Sequence, residues 1–555
     1  MKAVYLAHMV LCVCDCGRYN IYSRLISGGT FLCVALPWRE FTMTKSFEVK
    51  NVAAWLRGLS LKRCLGYGIV LALFGLIVYR AAHQSIAHDE AVSYNLFAAF
   101  GPQTILLTFH SNNHTLGTFL MWLSTTLFGL SVFAVRLPAL LGALIYLSSA
   151  ERLCNLAFKK TAFYALALLV LTASPFLLDY LSMARGYSLA LGFMLLAVYY
   201  AWKRAVSVSP AGLLHEAMIS IVVALSVSAN LSFAFPNAAL LLACAVLVVL
   251  RYVRKELSGR KLLLKILMLG LPGGMCYFLT TPSIINFSRD TLYYGTGSWR
   301  RTIESLFTEL FDGFRPALLP VRWQEPVGNL AQALPYGFAI LVVAALFVLL
   351  PKVARPLFSG PAPEPADVLW ALLLLDLVFS VLLLSAARLF FGSLLPRERT
   401  GIYLVPLFLL LLCLSVAGCQ KPGWQRVLRV AGQACLVLSV AYFGLSLRVS
   451  SFRETPYDSG MGETFQALMK ALEQYPGSRV AADWLFQPSL NFYRTMYRVK
   501  GLNRFTRRAV YSDYRLLILL PSDDTDRQYI HTHRVKVLYT NPDSGAVLLL
   551  NNPSK

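Results

Sequence analysis

Apolar stretches of helical length, separated by short clusters of Lys and Arg, repeat along most of the chain. The first, Leu65 to Ala82, follows Arg57, Lys62 and Arg63 and is just long enough to cross a hydrocarbon layer as a helix. Ten more runs follow, at about 133–150, 161–179, 185–202, 213–231, 236–252, 262–280, 334–350, 367–387, 400–418 and 430–447, so the pattern predicts about eleven transmembrane helices. A twelfth apolar stretch, His114 to Leu130, is excluded by charge. If it crossed, the loops with Arg152, Lys159 and Lys160, with Lys203 and Arg204, and with Arg251, Arg254 and Lys255 would all lie outside, against the positive-inside bias. Its Thr115, Thr118 and Thr125 recur at helical spacing, so it reads as an interfacial helix in the first outer loop, capping the bundle.

The same bookkeeping puts the N-terminus in the cytoplasm, a polar loop at about 281–333 outside, and residues 448–555 outside as well. That last stretch holds a predicted helix at Gly462–Gln474 and strand-like runs at Arg479–Ala482, Leu516–Leu520 and Ala546–Leu550, the pattern of a small α/β domain. The domain reading is therefore a transmembrane body at 43–447 and a periplasmic domain at 448–555. Residues 1–42 have no sustained apolar core and no small-residue cleavage site, so they fail as a signal peptide. They read as a non-structural extension, with Met43 as the expected start. Cys12, Cys14 and Cys16 lack a His or CxxC partner at zinc spacing.

Composition agrees with the pattern. The 555 residues are 57% hydrophobic and only 14% charged, which marks a polytopic α-helical membrane protein. The net charge of +23 would point to nucleic acid in a soluble chain, but here the cations punctuate the apolar runs. No P-loop, and no GxGxxG opening a helix, supports a nucleotide-driven pump.

Chemistry concentrates in a few polar segments. Asp89 and Glu90 are adjacent just beyond the first helix, in HDEAVSYNLF; they suit a general base, or Asp89 suits the N-cap of a helix running to Phe100. FHSNNHT at 109–115, FGLSVFAVRLP entering the second helix, SMARGYSLAL opening the fourth and LPRERTGIY opening the tenth supply further polar groups. Arg185, Arg388, Arg397 and Arg399 fall outside by charge parity, and cations on that side call for anionic partners: a substrate, Glu398, Asp179 or lipid headgroups.

Together these motifs resemble the bacterial lipid-dependent membrane glycosyltransferases of the C superfamily, the protein O-mannosyltransferase-like and aminoarabinose-transferase-like enzymes and, more closely, the subgroup that modifies lipopolysaccharide cores. The likeness covers roughly residues 65–420, with ADWLFQPSLNFYR similar to a segment of the subgroup's C-terminal portion. It implies an enzyme of the bacterial inner membrane that takes a sugar from a polyprenyl-phosphate donor, transfers it with inversion, and serves a lipid, glycan or protein acceptor from the periplasmic side. By that resemblance Asp89 is the base and Glu90 orients it. Asn113, His114, Arg185, Arg397 and Arg399 contact the donor phosphate. No cofactor is implied: relatives carry a second acid in the loop where this chain has Ser182 to Gly186, so a divalent metal lacks its expected ligand. The alternatives are a lipid-linked sugar transporter or flippase, which would also place charges within the bundle but should show paired halves with interrupted helices, whereas this chain puts its charges on one outer rim, and an oligosaccharide ligase, which would not be expected to start with the DE loop.

Overall fold

The computed structural model describes residues 60–206, 212–287, 294–311, 320–358, 364–506 and 511–551. The expected extension at 1–42, its cysteines and the Met43 start lie outside these residues. The chain divides into Met1–Cys64, of which only residues 60–64 are described, and the compact unit Leu65–Lys555.

Every expected apolar run is helical. The first is α1, Leu61–His83, followed by three short helices in the first loop: α2, His88–Leu96; α3, Pro102–Leu107; and α4, Thr115–Phe128. Next come α5, Val132–Ala157; α6, Thr161–Thr172; α7, Pro175–Ser182; α8, Tyr187–Val206; α9, Leu214–Ala229; α10, Ala234–Val253; and α11, Gly259–Thr280. The second half holds α12, Trp299–Phe311; α13, Val321–Phe358; α14, Pro365–Phe391; α15, Leu404–Gly418; and α16, Trp424–Ser446. Among the described residues seven helices are long and apolar enough to span by themselves, and α6 with α7 would make an eighth. The break between that pair bends the path by 59° and sits where Pro175 forbids a continuous helix. Helices α9 and α15 are apolar but shorter. The segment expected as a polar loop at 281–333 contains α12, which buries Thr302, Leu310 and Phe311, and the first turns of α13.

At 14 residues α4 is about 21 Å long, less than the hydrocarbon thickness, as expected for a helix that does not cross. Its threonines do not form a surface face, however. Thr115 and Thr118 are buried against the protein, and Thr125 bonds back to the Met121 carbonyl at 2.8 Å.

The contacts between helices gather the chain turns at 83–88, 129–132, 182–187, 229–233 and 396–404 at one end of the bundle. There the Gly186 backbone meets Ala229 and His114, and Phe233 packs edge-on to Tyr403. The C-terminal elements lie at this end: α17, Met461–Gln474; α18, Gln487–Met496; α19, Asp524–Thr532; and strands β1, Val480–Ala482; β2, Leu516–Leu519; β3, Val535–Thr540; and β4, Val547–Asn551. The sheet order is β1-β2-β4-β3, with β1 parallel to β2 and the other pairs antiparallel. Both β2 and β4 are buried throughout, so they read in sequence as unbroken apolar runs. Edge strand β3, VKVLYT, has no fully buried residue and no regular alternation, which hides it from a hydropathy reading. The domain docks through α18 onto α2: Asn95 donates to the Pro488 carbonyl at 2.9 Å, Tyr493 hydroxyl accepts from Ile86 N–H at 3.2 Å, and Tyr94 stacks edge-on with Phe492.

Helices α5 and α8 cross closely enough that a Cβ on Gly142 would collide with the backbone of Ser188 and Leu189, while Ser188 Oγ donates to the Ala139 carbonyl at 2.6 Å. This crossing fixes Arg136 and Arg185 relative to each other. Gly142→Val should therefore destabilise the protein by about 3 kcal/mol, read as a lowered unfolding midpoint in detergent. Gly68→Val, which adds a side chain where no atom lies within 4 Å, should leave the midpoint unchanged.

Candidate active site

Six charged side chains from distant parts of the sequence, Glu90 with Arg136 and then Asp89 and Glu454 with Arg185 and Arg399, meet beyond the end of α1. Glu90 is fully buried and accepts from Arg136 Nε at 2.9 Å and Arg136 Nη2 at 2.6 Å, from Ala87 N–H at 2.8 Å and from Ala184 N–H at 2.6 Å. Arg136 directs its remaining N–H groups at the carbonyls of Ala81, Gln84 and Ser85, so all five of its donors are used. Glu90 thus caps α2 by reaching back to Ala87: the N-cap is Ala87 and not Asp89, the capping residue the sequence suggested, which is the second residue of the helix. Freed from capping, Asp89 projects outward and remains partly accessible.

Asp89 Oδ2 lies 2.6 Å from Arg185 Nη2 and 3.9 Å from Arg399 Nη2, and Asn112 Nδ2 donates to Oδ1 at 3.3 Å. Both guanidinium groups also reach Glu454: Arg185 Nη1 at 3.3 Å from Oε2, and Arg399 Nη1 in close contact with Oε1. The Tyr180 hydroxyl donates to the same carboxylate, and the Arg399 guanidinium lies over the Tyr294 ring at 4.5 Å. Burial pushes the Asp89 carboxyl up, but Arg185 and then Arg399 outweigh it and hold the group below the usual carboxylate range. Asp89 is therefore ionised at neutral pH. Burial works against the charge on Arg185 and Arg399, yet Asp89 and Glu454 more than compensate and keep both firmly cationic.

Arg185 reaches this cluster because Gly186 adopts φ +73°, a left-handed turn, with His114 and Ala229 packed where a Cβ would stand. Arg399 reaches it through a second turn: Glu398 has φ +49°, costly for a non-glycine residue, and a short 3-10 turn follows over Glu398–Gly401. That turn separates the two arginines expected to act together. Arg397 is about half exposed and pairs with its neighbour Glu398 at 2.8 Å, away from Asp89.

The two remaining residues expected at the phosphate differ in kind. Asn113 is buried and donates to the carbonyls of Ile105 and Thr108 at 2.8 and 2.7 Å, which shapes the loop instead of facing the cluster. His114 stands beside the cluster, edge-on to the Tyr187 ring. Burial and then Arg185 push its pKa down to about 3, so it is a neutral imidazole rather than a cation. His88 turns toward the C-terminal domain, with Nδ1 2.7 Å from the Leu485 carbonyl, and Asp179 pairs with Arg80 and accepts from Arg453 N–H at 2.8 Å. Among the described residues no group of three or more His, Cys, Asp and Glu is placed to hold a metal.

Sequence reasoning missed Glu454, Tyr180, Arg136 and Asp458. Arg136 carried a signal, since a cation at the start of an apolar helix near a DE pair needs an acid. Glu454 carried none, being one acid in a polar tail and 365 residues from Asp89 in the chain.

No protein-family model matches the chain, and no curated protein sequence matches it. Among solved structures, ArnT from Cupriavidus metallidurans bound to undecaprenyl phosphate is similar over 90% of this chain and 99% of its own, at 13% identity and a TM-score of 0.40. The arabinosyltransferase EmbB of Mycobacterium smegmatis is similar over 89% of this chain and 45% of its own, at 12% identity and a TM-score of 0.40. The Archaeoglobus fulgidus oligosaccharyltransferase is similar over 76% of this chain and 61% of its own, at 11% identity and a TM-score of 0.38. Likeness at these scores is too slight to establish a shared function, so the chemistry rests on the side chains themselves.

Asp458 links the site to the C-terminal domain, accepting from His88 N–H at 2.7 Å and from Ser489 Oγ at 3.1 Å. Burial pushes its carboxyl up to about 8, against those hydrogen bonds and with a small upward push from Asp89. A carboxyl with a raised folded pKa contributes stability that is fully present below its ordinary value of 3.8 and is lost as pH rises to about 8. The unfolding midpoint should therefore fall between about pH 5 and pH 8 more steeply in the wild type than in Asp458→Asn. Parallel curves would show that Asp458 titrates as an ordinary carboxyl.

Proposed function

We propose that this chain is a membrane glycosyltransferase that moves a sugar from a polyprenyl-phosphate donor to a hydroxyl of a lipid, glycan or protein acceptor on the periplasmic side of the inner membrane. The observation that carries this reading is an ionised, partly accessible carboxylate, Asp89, between two guanidinium groups at one end of an apolar helical bundle. A lipid-linked donor would keep its chain beside the apolar helices and bring its phosphate to this end. Arg185 and Arg399 are suited to that phosphate, and the carboxylate of Glu454, which both now reach, stands where an anion is held.

In the proposed reaction Asp89 takes the proton of the acceptor hydroxyl, the acceptor oxygen bonds to the anomeric carbon from the opposite side, and the carbon–oxygen bond to phosphate breaks. The polyprenyl phosphate leaves with its charge on the arginines. Inversion follows from a single displacement. The electrostatics also give an order. Resting Asp89 is a weak base because Arg185 and Arg399 depress its pKa. A donor phosphate that engages those cations would relieve Asp89 of their field, raising its basicity as substrate binds. Glu90 and Arg136 are positioning residues in this scheme.

The transporter reading keeps one observation. Charges are not confined to one rim: Asp376 lies midway along α14, buried, with neither carboxylate oxygen bonded among the described residues. Ser380, one turn along the same helix, is its polar neighbour.

Loss of the gene should change the cell's lipid-linked glycan profile, and complementation separates the roles. Asp89→Asn should restore transfer at a level lower by ~100-fold or more with unchanged protein in the membrane. Near-normal transfer by that variant would remove Asp89 from the chemistry. Arg399→Lys keeps the charge but loses the fork, and should raise the donor KM, whereas Arg397→Lys, on the exposed Glu398 pair, should behave as wild type. Equal effects at both positions would overturn the assignment of Arg399 to the phosphate.

A further inference from the structure

At the opposite end of the bundle a second group of charges is buried. Arg204, in the last turn of α8, and Lys265, in the second turn of α11, both bind Glu216 in the first turn of α9, at 3.0 and 2.5 Å from the same oxygen, Oε1. All three side chains are at least nine-tenths buried. The group carries one net positive charge, since two cations share one carboxylate, and Arg251 beside it is already paired with Glu256 at 3.0 Å.

The bonding is incomplete in a specific way. Arg204 Nη1, a donor, and Glu216 Oε2, an acceptor, are both buried and have no hydrogen-bond partner among the described residues. Both side chains line a small open cleft of about 30 Å³, room for a few waters, together with Arg251 and Lys265. The rest of its wall is apolar, including Ile219, Leu247, Val248, Leu257 and Leu269. A purely structural tie between three helices would leave neither a buried donor nor a buried acceptor unpaired beside such a cleft. A buried guanidinium N–H is destabilising unless something bonds it.

We propose that this cavity binds an anionic glycerophospholipid. Its phosphodiester accepts from Arg204 Nη1 and neutralises the surplus charge; a headgroup hydroxyl donates to Glu216 Oε2; and the start of an acyl chain lies along the apolar wall. The depth suits a headgroup, because Arg204 and Arg251 lie in the last turns of α8 and α10 and Lys265 in the second turn of α11, three helices long enough to span. The site is separate from the Asp89 cluster, which lies past the other end of α8.

The test uses the full chain purified in detergent, with unfolding midpoints measured on adding dioleoyl-phosphatidylglycerol, dioleoyl-phosphatidylcholine or inorganic phosphate. Phosphatidylglycerol should raise the midpoint by ~4 °C or more above phosphatidylcholine, and inorganic phosphate should have no effect. Ala205→Trp, which fills the cavity wall and leaves the three charges in place, should abolish the phosphatidylglycerol shift, as should Arg204→Gln. Equal shifts with both lipids in the wild type would overturn the proposal whether or not either variant folds. So would a full shift with phosphate alone, which would assign the cavity to a free anion, or a phosphatidylglycerol shift retained in folded Ala205→Trp.

Discussion

Burying a carboxylate beside a guanidinium is worthwhile only when nearly every donor and acceptor is satisfied, and the Glu90–Arg136 pair meets that condition. Glu90 accepts from two backbone amides as well as from Arg136, and Arg136 closes three carbonyls at the end of α1. One pair thereby fixes the end of the first helix, the start of α2, the position of α5 and the Ser182–Gly186 turn. Asp89 leaves α2 and Arg185 leaves that turn, so their 2.6 Å contact is a consequence of the buried pair beneath it. Removing either partner would strand a charge in the interior, a loss of about 3–5 kcal/mol, and would release Asp89 and Arg185 together.

Above that foundation the site is held by exchangeable ion pairs. Asp89 and Glu454 share Arg185 and Arg399, with more access to solvent than the pair below. An arrangement of two carboxylates on two guanidiniums can accept a phosphate by trading one anion for another without exposing an unpaired cation. Because Glu454 enters from the segment that leads into the C-terminal domain, such an exchange would also reach that domain. The Asp458 contact to His88, four residues further on, gives it a second mooring beside Asp89.

The helical body was legible because a membrane demands apolar runs of fixed length with cations between them, and each expected run falls in a helix. Charge parity set α4 apart from the spans, but composition could not reveal that its Thr115 and Thr118 face inward. In the C-terminal domain the buried strands β2 and β4 announced themselves, while the exposed edge strand β3 and the helices α18 and α19 did not. Asp89, Arg185 and Arg399 were found as polar residues in motifs at helix ends. Their grouping with Glu454 was not, because no periodicity connects a tail residue to a first-loop acid. Arg397 and Arg399 looked equivalent in sequence; the left-handed turn at Glu398 separates them, and a local string of letters does not encode that conformation.

The central claim is that Arg185 and Arg399 hold a lipid-linked phosphate next to Asp89. A cryo-electron microscopy structure of the full chain with a polyprenyl monophosphate tests it most directly. The phosphate should lie within ~3 Å of both guanidinium groups, with the Glu454 carboxylate turned away from Arg399. Phosphate density elsewhere, with the Arg399–Glu454 pair intact, would contradict the account.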